Sequence, residues 1–81
     1  MSQLVNKFIR QSISEGLSVA FCRSRNAVVR QGYIAVFFFP NDEWGRKEYF
    51  KAQALYKELS NNKVIEIEET DIDSFIKGNT Q

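Results

Sequence analysis

The chain is expected to fold as a small single α/β (α+β) domain in the order α-β-β-α-β-α, a three-stranded mixed sheet with helices packed on it. Three observations predict this. Apolar residues recur at helical spacing in three segments. They alternate with period two near residues 17–22 and 63–69. Between these lies YIAVFFFP, Tyr33 to Pro40, in which seven hydrophobic residues run without interruption.

Length bounds the rest. Eighty-one residues make one domain. A chain of this size buries roughly 60–65% of its unfolded surface, so its stability margin is thin. Hydrophobic content of 43% and charged content of 26% are those of an ordinary globular protein, with residues 79–81 expected as a flexible tail.

Residues 3–15 read as an amphipathic helix. Leu4, Val5, Phe8, Ile9 and Ile13 share one broad face, with Lys7, Arg10, Gln11 and Ser14 opposite. Gly16 is a natural stop. In the first strand, LSVAFCRSR, Leu17, Val19 and Phe21 alternate with Ser18, Ala20 and Cys22. A turn at RSRN leads to AVVRQGYIAVFFF, expected as one long second strand bulged at Gln31–Gly32 and paired with the first as a hairpin.

The apolar run decides which strand is central. Tyr33, Ala35, Phe37 and Phe39 point one way; Ile34, Val36 and Phe38 point the other. Neither set is polar, so the strand needs cover on both faces, with the first helix on one side and a long helix on the other. Three small helices leave part of such a sheet uncovered, which favours a homodimer.

Pro40 ends the strand. Asn41 or Asp42 caps a long helix to about Leu59, with Gly45 weakening its first turn so that Arg46 is a competing start. Trp44, Tyr49, Ala52, Leu55, Tyr56 and Leu59 share a core-facing arc. The third strand, KVIEIEE, places Ile65 and Ile67 against Val64, Glu66 and Glu68, with charge suited to a sheet edge. The long helix makes it a right-handed crossover parallel to the second strand, in sheet order 1-2-3. The last helix, TDIDSFIKG, reads as a Thr70-x-x-Asp73 capping box, an apolar stripe of Ile72, Phe75 and Ile76, and a Gly78 stop.

The composition excludes much chemistry. There is no histidine, so Ser-His and Cys-His catalytic units are absent, and a zinc site from Cys22 alone is not expected. No cofactor is called for. Cys22 cannot close an intrachain disulfide and is expected as a small buried hydrophobe; a cytoplasmic setting is the simplest expectation. Neither a signal peptide nor a membrane span is expected from the apolar runs. If residues 27–39 were two strands, the order α-β-β-β-α-β would resemble the minimal core of the PD-(D/E)xK nuclease superfamily. The stretch AVFFF carries neither the carboxylate nor the lysine of that motif. The resemblance, which covers element order alone, would imply a catalytically dead copy.

Charge supplies the candidate contacts. Residues 1–40 hold Lys7, Arg10, Arg23, Arg25 and Arg30 against Glu15, a net +4; residues 41–81 hold six basic and nine acidic residues, a net −3. Phe50 falls on the polar side of the long helix among Arg46, Lys47 and Lys57, a place for a protein partner. Glu66, Glu68, Glu69, Asp71 and Asp73 form an acidic run suited to docking; a Mg²⁺ or Ca²⁺ site there lacks the spacing of a calcium loop. The expected function is a non-enzymatic protein–protein interaction module, a regulator, adaptor or inhibitor, and a homodimer. The alternative is nucleic-acid binding through Arg23, Arg25 and Arg30 at the hairpin end, with Arg46, Lys47, Lys51 and Lys57 on the long helix.

Overall fold

The computed structural model describes residues 2–79. Helix α1 spans Ser2–Ser14, strand β1 Ser18–Arg23, β2 Ala27–Gln31 and β3 Ile34–Phe39. Helix α2 spans Glu43–Ser60; a short 3₁₀ turn, Glu69–Asp71, leads into α3, Ile72–Asn79. The domain is α+β, with three helices on a three-stranded mixed sheet. The predicted class holds, but the order is α-β-β-β-α-α. The expected tail over residues 80–81 lies outside the described residues, and Asn79 ends α3.

Helix α1 stops in a Schellman motif. Gly16 takes φ +70°, the Gly16 amide donates to the Ile13 carbonyl at 3.1 Å, and the Leu17 amide donates to the Ser12 carbonyl at 3.0 Å. The motif delivers Leu17 into the core and aims the chain along β1.

The first difference from expectation lies in residues 27–39, which form two strands instead of one. Gly32 adopts φ +60° and Tyr33 does not, so Gly32–Tyr33 is the two-residue turn of a β2–β3 hairpin with glycine at its first central position. Unbroken hydrophobicity across Tyr33 hid that turn. The second difference follows: the sheet order is β1-β3-β2. Strands β1 and β3 are parallel, with Phe21 beside Phe37, and β2 is antiparallel to β3, with Val28 beside Phe37. The connection Ser24–Asn26 is not a hairpin turn. Three residues reach about 10 Å, enough to step across one intervening strand, and β3 fills the space between.

The apolar run is the central strand, buried on both sides along all of β3. Its helical cover differs from expectation. Helices α1 and α2 both lie on one face, packing Ile9, Tyr49, Ala52 and Tyr56 over Val19, Phe21, Ala35, Phe37 and Phe39. The opposite face, Cys22, Ile34, Val36 and Phe38, is covered by Ile67 and by Ile72, Phe75 and Ile76 of α3. Phe21 is the hub of the first core, with the rings of Phe37 at 5.7 Å, Tyr56 at 5.8 Å and Tyr49 at 6.3 Å.

KVIEIEE forms no full third strand. It touches β1 at one parallel bridge, where the Phe21 amide donates to the Ile65 carbonyl and the Ile67 amide donates to the Phe21 carbonyl, both at 2.9 Å. The alternation is kept, with Val64 on the first core and Ile67 on the second. The segment lies parallel to β1 on the far side of the sheet from β2, because α2 carries the chain from the end of β3 back past β1. After Glu68 it turns into the 3₁₀ segment, so pairing ends. Thr70 lies inside that 3₁₀ turn and is not the cap of α3; Gly78 lies within α3 and does not stop it.

Helix α2 is capped by Asp42, whose carboxylate accepts from the Gly45 amide at 2.7 Å. Gly45 does not delay the helix. A Cβ there would collide with the Pro40 carbonyl, so glycine lets the first turn close over the end of β3. Trp44 and Leu59 leave the predicted core arc and are 42% and 40% exposed.

Candidate interaction surface

The arginines named in the sequence go to three places. The Arg23 guanidinium donates to the Pro40 carbonyl at 3.2 Å, the Asn41 Oδ1 at 3.2 Å and the Asp42 carbonyl at 3.1 Å, and lies 5.4 Å from the Tyr49 ring centre. It ties the start of α2 to the end of β1. Arg25 lies on the other face, 4.2 Å from the Phe38 ring centre and 3.9 Å from Glu69. The expectation that Arg23 and Arg25 share a strand face fails because β1 ends at Arg23 and the chain turns. Arg30, at the opposite end of the sheet, pairs with Glu15 at 2.5 Å and donates to the Gly32 carbonyl at 3.2 Å. The Gln11 amide and Arg30 together hold Glu15 below its ordinary pKa.

Phe50 is half exposed, as expected, with Arg46 5.5 Å from its ring centre and its edge against Tyr49 at 5.5 Å. Lys47, Lys51 and Lys57 are exposed on the same helix. Of the acidic residues, Glu66 accepts from the buried Gln53 amide at 2.8 Å, Glu69 meets Arg25, and Glu68, Asp71 and Asp73 are exposed. Glu66 also contributes, after burial, to holding the Tyr49 hydroxyl up at a pKa of about 12. Among the described residues no group of three or more His, Cys, Asp or Glu side chains stands close enough together to hold a metal ion. None of their helices is long and apolar enough to cross a membrane. Cys22 is fully buried, its sulfur 3.5 Å from the Ser24 hydroxyl.

The apolar surface that the sequence did not single out lies elsewhere. A trough runs along α1 above β2. One part, about 390 Å³, is lined by Leu4, Val5, Phe8, Val28, Phe39 and Trp44. Its neighbour, about 200 Å³, shares Phe8 and Val28 and ends at Arg30 and Ala35. Leu4 is 59% exposed, and Phe8, Val28 and Trp44 are each more than a third exposed. The trough exists because α1 and α2 pack on one another over β1 and β3 and leave the β2 side of that face uncovered.

Strand β2 is also an open edge, and the register shows which main-chain groups it offers. The Ser18 and Ser24 amides donate to the Tyr33 and Phe39 carbonyls, so the odd-numbered residues of β3 turn their main chain toward β1. The even-numbered residues Ile34, Val36 and Phe38 therefore turn theirs toward β2 and bond with Gln31, Val29 and Ala27. The N–H and C=O groups of Val28 and Arg30 are left pointing away from the sheet. The sequence signal for this edge was Gly32, whose turn makes a separate β2.

No protein-family model, curated protein or solved structure matches the chain.

Proposed function

We propose that the protein is a non-enzymatic protein–protein interaction module that works as a homodimer. The observation that carries this reading is the coincidence of two unsatisfied surfaces: the apolar trough of Leu4, Phe8, Val28 and Trp44 lies directly beside the open edge of β2. Contiguous apolar area of this kind, adjoining a strand edge, is what protein contacts cover. Phe50 with Arg46, Lys47 and Lys57 lies on α2, a different element, and is available to a second, acidic partner. The nucleic-acid alternative draws less support, since Arg23 and Arg30 are engaged within the fold and point to opposite ends of it.

Sedimentation equilibrium at micromolar concentration tests the reading. The wild type is expected at twice its 9.4 kDa mass, and Phe8→Glu with Trp44→Glu is expected as a folded monomer. A wild type that remains a single 9.4 kDa species overturns it.

A further inference from the structure

We infer that the second copy docks by adding its own β2 antiparallel to β2, in a register centred on Val29, so that the two sheets join into one of six strands. This rests on the homodimer reading and specifies its geometry.

The register follows from the main chain. An edge strand that pairs with its own copy must do so about a two-fold axis, each residue i facing a residue j and j facing i. Only Val28 and Arg30 within β2 offer outward N–H and C=O groups. Centring the axis on Val29 sets Val28 opposite the partner's Arg30 and Arg30 opposite the partner's Val28. Each such pair exchanges two hydrogen bonds, giving four, and none of those outward groups is left over. Val29 then faces its own counterpart in a non-hydrogen-bonded pair, where side chains approach most closely.

Charge selects the same register. Centring on Arg30 would place two guanidinium groups opposite one another, which is unfavourable. Centring on Val28 would draw Asn26, outside β2, into the ladder. With Val29 at the axis, each Arg30 lies over a valine, where its stem packs on apolar surface, and its charge is already paired with Glu15. Paired residues of an antiparallel ladder lie on the same side of the sheet, so both troughs lie on one side and adjoin at the axis. Val29, which is 40% exposed, is covered at the same time.

Engineered cysteines test this in the full chain, and buried Cys22 does not compete. Non-hydrogen-bonded partners stand about 4.5 Å apart between Cα atoms, within disulfide range, whereas two Val28 positions would stand about 8 Å apart and out of range. Val29→Cys is expected to form a disulfide-linked dimer under mild oxidation at least tenfold faster than Val28→Cys. Val28→Pro is expected to lose the dimer while keeping native circular dichroism, since the Val28 amide makes no bond to β3. Faster linkage through Val28→Cys or Arg30→Cys, or a dimer that Val28→Pro leaves intact, overturns the register without touching the homodimer reading. A wild type that stays monomeric overturns both.

Discussion

Arg23 holds Asp42: its Nη2 donates to the Asp42 carbonyl at 3.1 Å while the Asp42 carboxylate caps α2. One side chain at the end of β1 thus fixes the loop from which the longest helix departs. A residue that looks in the sequence like a phosphate contact is spent on the fold.

Arg23→Ala is therefore expected to destabilise the protein by about 1–3 kcal/mol, through loss of three hydrogen bonds from a charged donor. Arg25→Ala, which removes a long exposed ion pair and one ring contact, is expected to cost less than about 1 kcal/mol. Urea unfolding of the two variants checks the order. Equal losses would contradict the assignment of Arg23 as the tie.

Gly45→Ala should be destabilising by about 1–3 kcal/mol even though alanine favours helices, because the new methyl meets the Pro40 carbonyl. Gly78→Ala, where a Cβ meets nothing, should be neutral or stabilising by up to about 1 kcal/mol. Thermal melts of both variants measure the contrast, and a Gly45→Ala protein as stable as the wild type would show that the Pro40 loop gives way.

Tyr49 supplies a pH dependence. Burial, with a contribution from Glu66, raises its pKa to about 12. The unfolded chain ionises near about 10 and the native protein does not, so folding keeps the neutral form. This contribution is fully present below pH 10 and is lost as pH rises from 10 to 12. Tyr49→Phe is expected to flatten the alkaline fall in stability. An unchanged slope would place the ionising group elsewhere.

Much of the fold was legible in the sequence, and the misses in strand order and in the exposed surface share one cause. The helices, the central strand and the Asp42 cap follow from local periodicity and local polar chemistry. The alternation at Val64 and Ile67 also survives. Strand adjacency does not follow from local signals: Ser24–Asn26 looks like a hairpin turn, and only the β2–β3 hairpin at Gly32 places β3 between its neighbours. The apolar trough was missed for the same reason. Leu4, Phe8 and Trp44 carry core-like patterns, and their exposure depends on which half of the sheet α1 and α2 leave open. Phe50, by contrast, was readable, because a helical wheel is enough to put it among Arg46, Lys47 and Lys57.

The claim that β2 is the self-pairing edge is tested most directly by amide hydrogen exchange at Val28 and Arg30 as a function of protein concentration. In the isolated chain these two amides face solvent, while those of Val29 and Gln31 are bonded to β3. Protection of Val28 and Arg30 is expected to rise at least tenfold from dilute to concentrated protein, with Val29 protected throughout. Fast exchange of both amides at concentrations where the protein sediments as a dimer would contradict the account.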